Sequence, residues 1–234
     1  MNFMGKIADT LVDAGHEVVT LQPVIFPHTS NGTSKSRLIQ MIVDEKMSAE
    51  IQENRHEQQM PTWTATTTNP LGMLDEKDVL ETLKSEKFDV GISELFDFVG
   101  IPIFEAIGLK NIVGAHTTAC LMEGTAYAIG APVIPSYMPA SLGVTDDSPS
   151  MVNRVMNILF TFMSWYFQIS IARAAEIAMV EKLGASVTPI WDIVSNMSWI
   201  LTNTEPLLEF AKPTLHKVVD IGGIGVSKPK PLDE

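Results

Sequence analysis

Cysteine is nearly absent from this 234-residue sequence, with Cys120 the single one. One thiol excludes an intramolecular disulfide framework and any zinc site built on cysteine. Basic residues are also scarce, 16 Lys and Arg against 28 Asp and Glu, leaving a formal charge of −12. No stretch gathers the Lys and Arg that phosphate contacts need, so nucleic acid is excluded as a partner. Charged residues of both signs make up only 19%, against 45% hydrophobic, which excludes a disordered chain. The sequence has no P-loop, no G-x-S-x-G elbow and no H-E-x-x-H helix. Its five histidines, at 16, 28, 56, 116 and 216, lie out of helical reach of one another. No metal is expected. The opening Met1-Asn2-Phe3-Met4-Gly5-Lys6 lacks a basic leader followed by an apolar run, so it is not read as a signal peptide.

What is present is one repeated rhythm of helical period, turn and short β-branched run. Met4, Ile7, Ala8 and Leu11 fall at i, i+3, i+4 and i+7, one face of a helix that Gly15 can terminate. A strand is expected at 17–21, closed by Pro23. Asp75 can cap a helix running to about Lys87, before a strand at 89–92. Pro102 suits the first turn of a helix ending near Gly108, followed by a strand at 111–115. Late strands are expected at 199–202 and 218–221. Strands alternating with helices imply parallel pairing through crossover helices, so the class is α/β. A helix-first start leaves that sheet without the strand expected to precede it.

Three stretches depart from the rhythm. Residues 27–70 are polar, with a helix expected over 36–57. Residues 132–149 hold Pro132, Pro135, Pro139 and Pro149 and read as a long rigid loop. Residues 155–172 carry no charge, yet Asn157, Thr161, Ser164 and Gln168 line one stripe opposite Ile158, Phe162, Trp165 and Ile169. That pattern predicts an amphipathic helix rather than a membrane span. It leaves two environments open, a protein core or a membrane surface.

The chemistry-bearing candidates are few. Gly222-Gly223-Ile224-Gly225 follows a strand, but Val226 and nearby prolines prevent the helix a dinucleotide fingerprint needs, so close backbone packing is expected. His116, with Thr117 beside it, follows the strand ending at Ala115, where α/β folds place ligand residues. Ser93-Glu94-Leu95-Phe96-Asp97 follows another strand, where a carboxylate can orient a histidine or simply cap the next helix. Asn31-Gly32-Thr33 and Asn196-Met197-Ser198 are glycosylation sequons. Asn31 is expected to be the better acceptor, with Asn196 buried among Met197, Trp199 and Ile200.

Several stretches taken together resemble the N-terminal half of UDP-glucuronosyltransferases. They are Leu11-Val12-Asp13-Ala14-Gly15-His16-Glu17-Val18-Val19, Phe88-Asp89-Val90-Gly91-Ile92 and Gly130-Ala131-Pro132-Val133-Ile134-Pro135-Ser136-Tyr137-Met138-Pro139. Ile221-Gly222-Gly223-Ile224-Gly225 with Lys228-Pro229-Lys230-Pro231 matches the end of that half. The resemblance implies the GT-B fold, with residues 1–225 as a Rossmann-like acceptor domain and 226–234 as the start of an interdomain linker. It implies inverting transfer of a sugar, glucuronic acid, from a UDP-sugar to a hydroxyl of a small lipophilic acceptor. In that mechanism a histidine ending the first strand takes the hydroxyl proton, and an acidic partner holds the histidine. The acidic position falls on Glu94, where most members carry aspartate; His116 and Thr117, from their place at a strand end, are the expected acceptor-binding residues.

The same resemblance sets the catalytic histidine and first strand before Met1, and the signal peptide, donor-binding domain and membrane anchor outside these residues. No cofactor is implied, since the UDP-sugar is a co-substrate held by the donor domain. Alone, the chain is expected to transfer no sugar. It is then either part of a full enzyme of the endoplasmic reticulum lumen, or a truncated relative that binds hydrophobic ligands. In the second case it would pair with full-length transferases, as a homo- or hetero-oligomer.

Overall fold

The computed structural model describes residues 2–24, 32–42, 73–118, 121–143 and 150–226. Asn31, Cys120, His28, His56, the prediction for 43–57 and the linker at 227–234 lie outside the described residues.

Helix α1, Asn2–Asp13, buries Phe3, Ile7 and Ala8 on the face the periodicity predicts. Its Asp9 clamps the following segment, accepting from the Thr33 hydroxyl at 2.6 Å and from the backbone N–H groups of Ser34 and Lys35 at 3.0 Å each. These donors, the Thr33 hydroxyl foremost, hold the Asp9 carboxyl well below the usual carboxylate range. Strand β1, Val19–Val24, runs through Pro23 rather than stopping there, and pairs in parallel with β2, Arg37–Ile42. Among the described residues β1 has a partner on one side only, and an edge strand tolerates the missing proline N–H. Strand β2 replaces the first turn and a half of the predicted 36–57 helix. Pairing with β1 and burial of Met41 against Leu21 and Ile39 override the helical preference expected there.

Helix α2, Lys77–Glu86, starts after Asp75 without its help. The Asp75 carboxylate instead takes Lys182 Nζ at 2.6 Å. Strand β3 is Gly91–Glu94, two residues later than expected, because Gly91 pairs with Ile112 and its N–H donates to Asn111 O at 2.9 Å. Helix α3, Gly100–Ile107, then leads to β4, Ile112–His116. Helices α4, Glu123–Ile129, α5, Met151–Leu183, and α6, Ile190–Asn196, precede the short strands β5, Ile200–Thr202, and β6, Val218–Asp220. Among the described residues all pairings are parallel, in the orders β2-β1 and β3-β4-β5-β6. The α/β reading therefore stands: parallel sheets flanked by helices.

Strand alternation assigns the layers. Ile112 and Ile200 pack with α4, α5 and α6, in a cluster with Ala126, Ala175 and Val194. Ala115 and Leu201, one face over, pack with Phe3, Ile7 and Leu11 of α1. The larger sheet thus carries α1 on one face and the later helices on the other. Glycine 222 forms a packing turn, as its sequence context predicts: its N–H donates to Thr204 O at 3.0 Å, and a Cβ there would lie 2.4 Å from that oxygen.

Helix α5 reverses the ordinary arrangement. Its polar stripe faces inward and its large apolar residues face out. Asn157, Thr161, Ser164 and Gln168 are buried, while Leu159 is 57% exposed and Phe162 62%. The reason is what the helix packs on. Residues 130–143 form an irregular segment whose carbonyls and N–H groups need partners. Asn157 supplies them, donating to Pro135 O at 2.7 Å and Met138 O at 2.6 Å and accepting from Ala140 N at 2.9 Å. Further along, Ile171, Ala172, Ala175 and Met179 return to apolar burial.

Candidate functional site

The C-terminal ends of β3 and β4 lie side by side, and that is where an open parallel sheet presents ligand residues. Glu94 ends β3 opposite Ala115, and Thr117 follows two residues beyond on the same face. The Thr117 N–H donates to both Glu94 carboxylate oxygens, at 3.1 and 3.2 Å, and the Thr117 hydroxyl donates to Oε2. One residue just beyond β4 therefore braces the carboxylate from one side. Asn203, just after β5, fixes Thr117 in turn: its Nδ2 donates to Thr117 O at 3.1 Å and its N–H to His116 O at 3.1 Å. Burial raises the Glu94 pKa, a tendency that the Thr117 donors oppose and the nearby Asp97 charge reinforces. The Asp97 pKa is raised by burial as well. Its Oδ1 accepts from Val99 N at 3.2 Å, just ahead of α3, whose N-terminus has no side-chain cap.

His116 points to the opposite face of the sheet and is wholly buried. Its Nε2 lies 3.2 Å from the Thr125 hydroxyl, and its Nδ1 has no hydrogen-bond partner, standing 4.0 Å from Glu94 Oε1. Burial lowers its pKa to about 4, so the ring is neutral at physiological pH. The tautomer that suits both neighbours carries the proton on Nδ1, accepts from Thr125 and turns a donor toward the carboxylate.

Behind His116 stands a network that the sequence did not reveal as such. Gln168 Oε1 accepts from Thr125 N at 2.9 Å, while its Nε2 donates to the Thr125 hydroxyl at 2.9 Å and to Leu95 O at 3.1 Å. A Cβ on Gly124 would lie 2.5 Å from Gln168 Oε1, so a larger residue there would displace the amide from this network. Beside it, Glu123 accepts from Ser141 N at 2.8 Å and from the Ser164 hydroxyl. The available signal was the uncharged polar stripe on an apolar helix. Its spacing was legible, its direction was not.

The remaining predicted residues lie elsewhere. Asn196 is exposed at the end of α6, with its Nδ2 donating to Asp192 O at 2.8 Å. Its neighbours Met197 and Ile200 take the burial expected of it. A surface cleft of about 450 Å³ lined by Leu83, Phe88, Leu109 and Asn111 sits at the opposite end of β4 from His116.

A family model described as "UDP-glucoronosyl and UDP-glucosyl transferase" matches residues 1–234. UDP-glucuronosyltransferase 1A9 of Mus musculus is 26% identical over 255 residues, covering 99% of this chain and 46% of that protein. UDP-glucuronosyltransferase 3A1 of Bos taurus is 31% identical over 164 residues, 69% of this chain and 30% of that protein. The putative UDP-glucuronosyltransferase ugt-48 of Caenorhabditis elegans is 25% identical over 253 residues, 95% of this chain and 46% of that protein. The chain spans less than half the length of these relatives. No solved structure matches it.

Proposed function

This chain belongs to the UDP-glucoronosyl and UDP-glucosyl transferase family, and we propose that it supplies the acceptor side of the transfer, with Glu94 as the acidic partner of the base. The observation that carries the reading is the placement of that carboxylate. Glu94 ends a parallel strand, is braced by the Thr117 N–H and hydroxyl, and lies on a strand with a partner on one side only among the described residues.

The reaction transfers the sugar of a UDP-sugar, glucuronic acid in this reading, to the hydroxyl of a small lipophilic acceptor. As the acceptor oxygen bonds to the anomeric carbon, its proton passes to a histidine base and UDP departs with the electrons of the broken bond. The histidine becomes an imidazolium, and a carboxylate in contact stabilises that charge and fixes the ring. Glu94 suits this role because its second side is not taken up by Thr117. An arriving imidazolium would also draw its raised pKa back down and keep it ionised. Thr117 stands at the strand end where an acceptor would lie. His116, wholly buried, lies beneath the Glu94 corner, its Nδ1 4.0 Å from the carboxylate. The UDP-sugar is a co-substrate of the donor half, and the enzyme in this reading works in the endoplasmic reticulum lumen.

The test is a hybrid in which residues 1–226 replace the matched stretch of the mouse relative, which keeps its other segments. UDP release with a panel of phenols is expected to exceed that of a heat-killed control. A hybrid that melts cooperatively yet releases no UDP with any phenol would defeat the reading.

A further inference from the structure

We propose that His116 is a positioning residue for Glu94, its Nδ1–H aimed at the carboxylate by a hydrogen-bond relay through Gln168 and Thr125. This role rests on the acceptor-side reading above and adds to it a residue that lies beneath the reacting atoms. Wholly buried, His116 acts through Glu94 rather than on the acceptor.

The relay starts from two backbone groups whose roles are fixed, since a carbonyl only accepts and an amide N–H only donates. Leu95 O takes Gln168 Nε2 at 3.1 Å, and Thr125 N gives to Gln168 Oε1 at 2.9 Å. These two bonds decide which way the Gln168 amide points. Its Nε2 also donates to the Thr125 hydroxyl at 2.9 Å, so that oxygen is an acceptor there. Among the described residues, the acceptor left for the hydroxyl's own proton is His116 Nε2, at 3.2 Å. A neutral imidazole that accepts at Nε2 carries its proton on Nδ1. That proton faces Glu94 Oε1 at 4.0 Å, and Nδ1 has no hydrogen-bond partner among the described residues.

The opposite tautomer fails twice. It would leave the Thr125 hydroxyl proton without an acceptor, and it would set the Nδ1 lone pair against a carboxylate oxygen. The charged ring is excluded as well, since burial holds its pKa at about 4. At 4.0 Å the contact is longer than a hydrogen bond, a separation of the kind that closes when a catalytic site tightens on its substrate. The Thr117 hydroxyl donates to Oε2 of Glu94, whereas the oxygen that faces His116 is Oε1. Gln168 secures the same corner from behind. Leu95, whose carbonyl it takes, follows Glu94 directly and donates its own N–H to Ala115 O at 2.9 Å. One amide on α5 thus ties together the strand ends that carry Glu94 and His116.

Nitrogen-15 NMR of the full chain, labelled in histidine, reads the tautomer without any activity. At neutral pH, Nδ1 of His116 should resonate as a protonated nitrogen and Nε2 as an unprotonated one. Thr125→Val deletes the donor to Nε2 and should shift the ring toward protonation there. Kinetics of the hybrid enzyme then read the role. His116→Gln keeps a polar group for Thr125 but none at the Nδ1 position, so kcat should fall about tenfold with KM changed less than about threefold. His116→Asn keeps a donor where Nδ1 stood and gives up Thr125, and its kcat should stay within about threefold of the parent. A merely structural histidine gives the reverse order, because the variant that abandons Thr125 then disturbs the buried network more. The positioning role alone is overturned if the parent ring is protonated at Nε2, or if Thr125→Val leaves the ring unchanged. It is overturned equally if an active hybrid keeps full kcat in His116→Gln or loses as much in His116→Asn. A parent hybrid that releases no UDP defeats the acceptor-side reading itself, and the role falls with it.

Discussion

Glu94 and Glu123 are two carboxylates with nearly the same donors, one backbone N–H and one hydroxyl each, yet they sit in the fold differently. The hydroxyl and the main N–H donor of Glu94 both belong to Thr117, just beyond the strand paired with its own, and the Phe96 backbone beside it adds to them. The donors of Glu123 come from Ser141 in an irregular segment and Ser164 in α5, so this one side chain ties three parts of the chain together. Glu123 is buried, whereas the Glu94 side chain keeps 20% of its surface exposed. The difference separates structural from chemical use of one functional group. A carboxylate that joins distant elements holds the fold, and one braced from a single side at a strand end is free to meet something new.

The largest effect should come from removing the joining carboxylate. Glu123→Ala leaves the Ser141 N–H and the Ser164 hydroxyl without their acceptor in a buried site, which costs about 3 kcal/mol. Glu94→Ala disturbs donors nearer to water and should cost less than about 1 kcal/mol. Urea unfolding of both variants compares them directly, and equal losses would erase the distinction.

Acidity should separate the two regions next. His116 ordinarily titrates near 6.5 and is held to about 4 in the folded chain by burial. As pH falls through 6.5, the unfolded chain takes up a proton that the folded chain refuses. Stability is therefore complete above 6.5 and declines toward 4, by up to about 3 kcal/mol. Glu94, raised by burial, works in the opposite sense. Its folded form takes a proton first as pH falls, which offsets part of the decline. Unfolding midpoints across this range should fall in the parent and flatten in His116→Gln. An unchanged slope in that variant would show that His116 is not the group responsible.

How much of this was legible in the sequence depends on which interactions are local. The α1 face, the helix carrying Pro102 in its first turn and the late strands were readable, because apolar period and turn chemistry act within a few residues. The strand at β2 was not, since only its pairing with β1 and the burial of Met41 specify it. Glu94 and His116 were identifiable as strand-end residues, but their separation onto two faces of the sheet depended on where β3 and β4 begin. A shift of one or two residues moves a side chain along or across the sheet. The stripe on α5 was found with its correct members, but the pattern left open whether the apolar side met a protein core or a membrane surface, and the usual apolar-inward orientation is not the one adopted. What reversed it was the hydrogen-bonding demand of the 130–143 segment, a long-range requirement with no local signature.

The central claim is that Glu94, and no neighbouring carboxylate, supports the base. In the hybrid enzyme, Glu94→Gln preserves size and hydrogen bonding but removes the charge that stabilises an imidazolium. Turnover should fall about a hundredfold, with KM changed less than about threefold. Asp97→Asn, whose carboxylate accepts from Val99 N at its own end of the loop, should leave turnover within about threefold of the parent. Loss of kcat in Glu94→Gln alone is the result this account predicts. Full turnover in Glu94→Gln, or an equal collapse in Asp97→Asn, would contradict it.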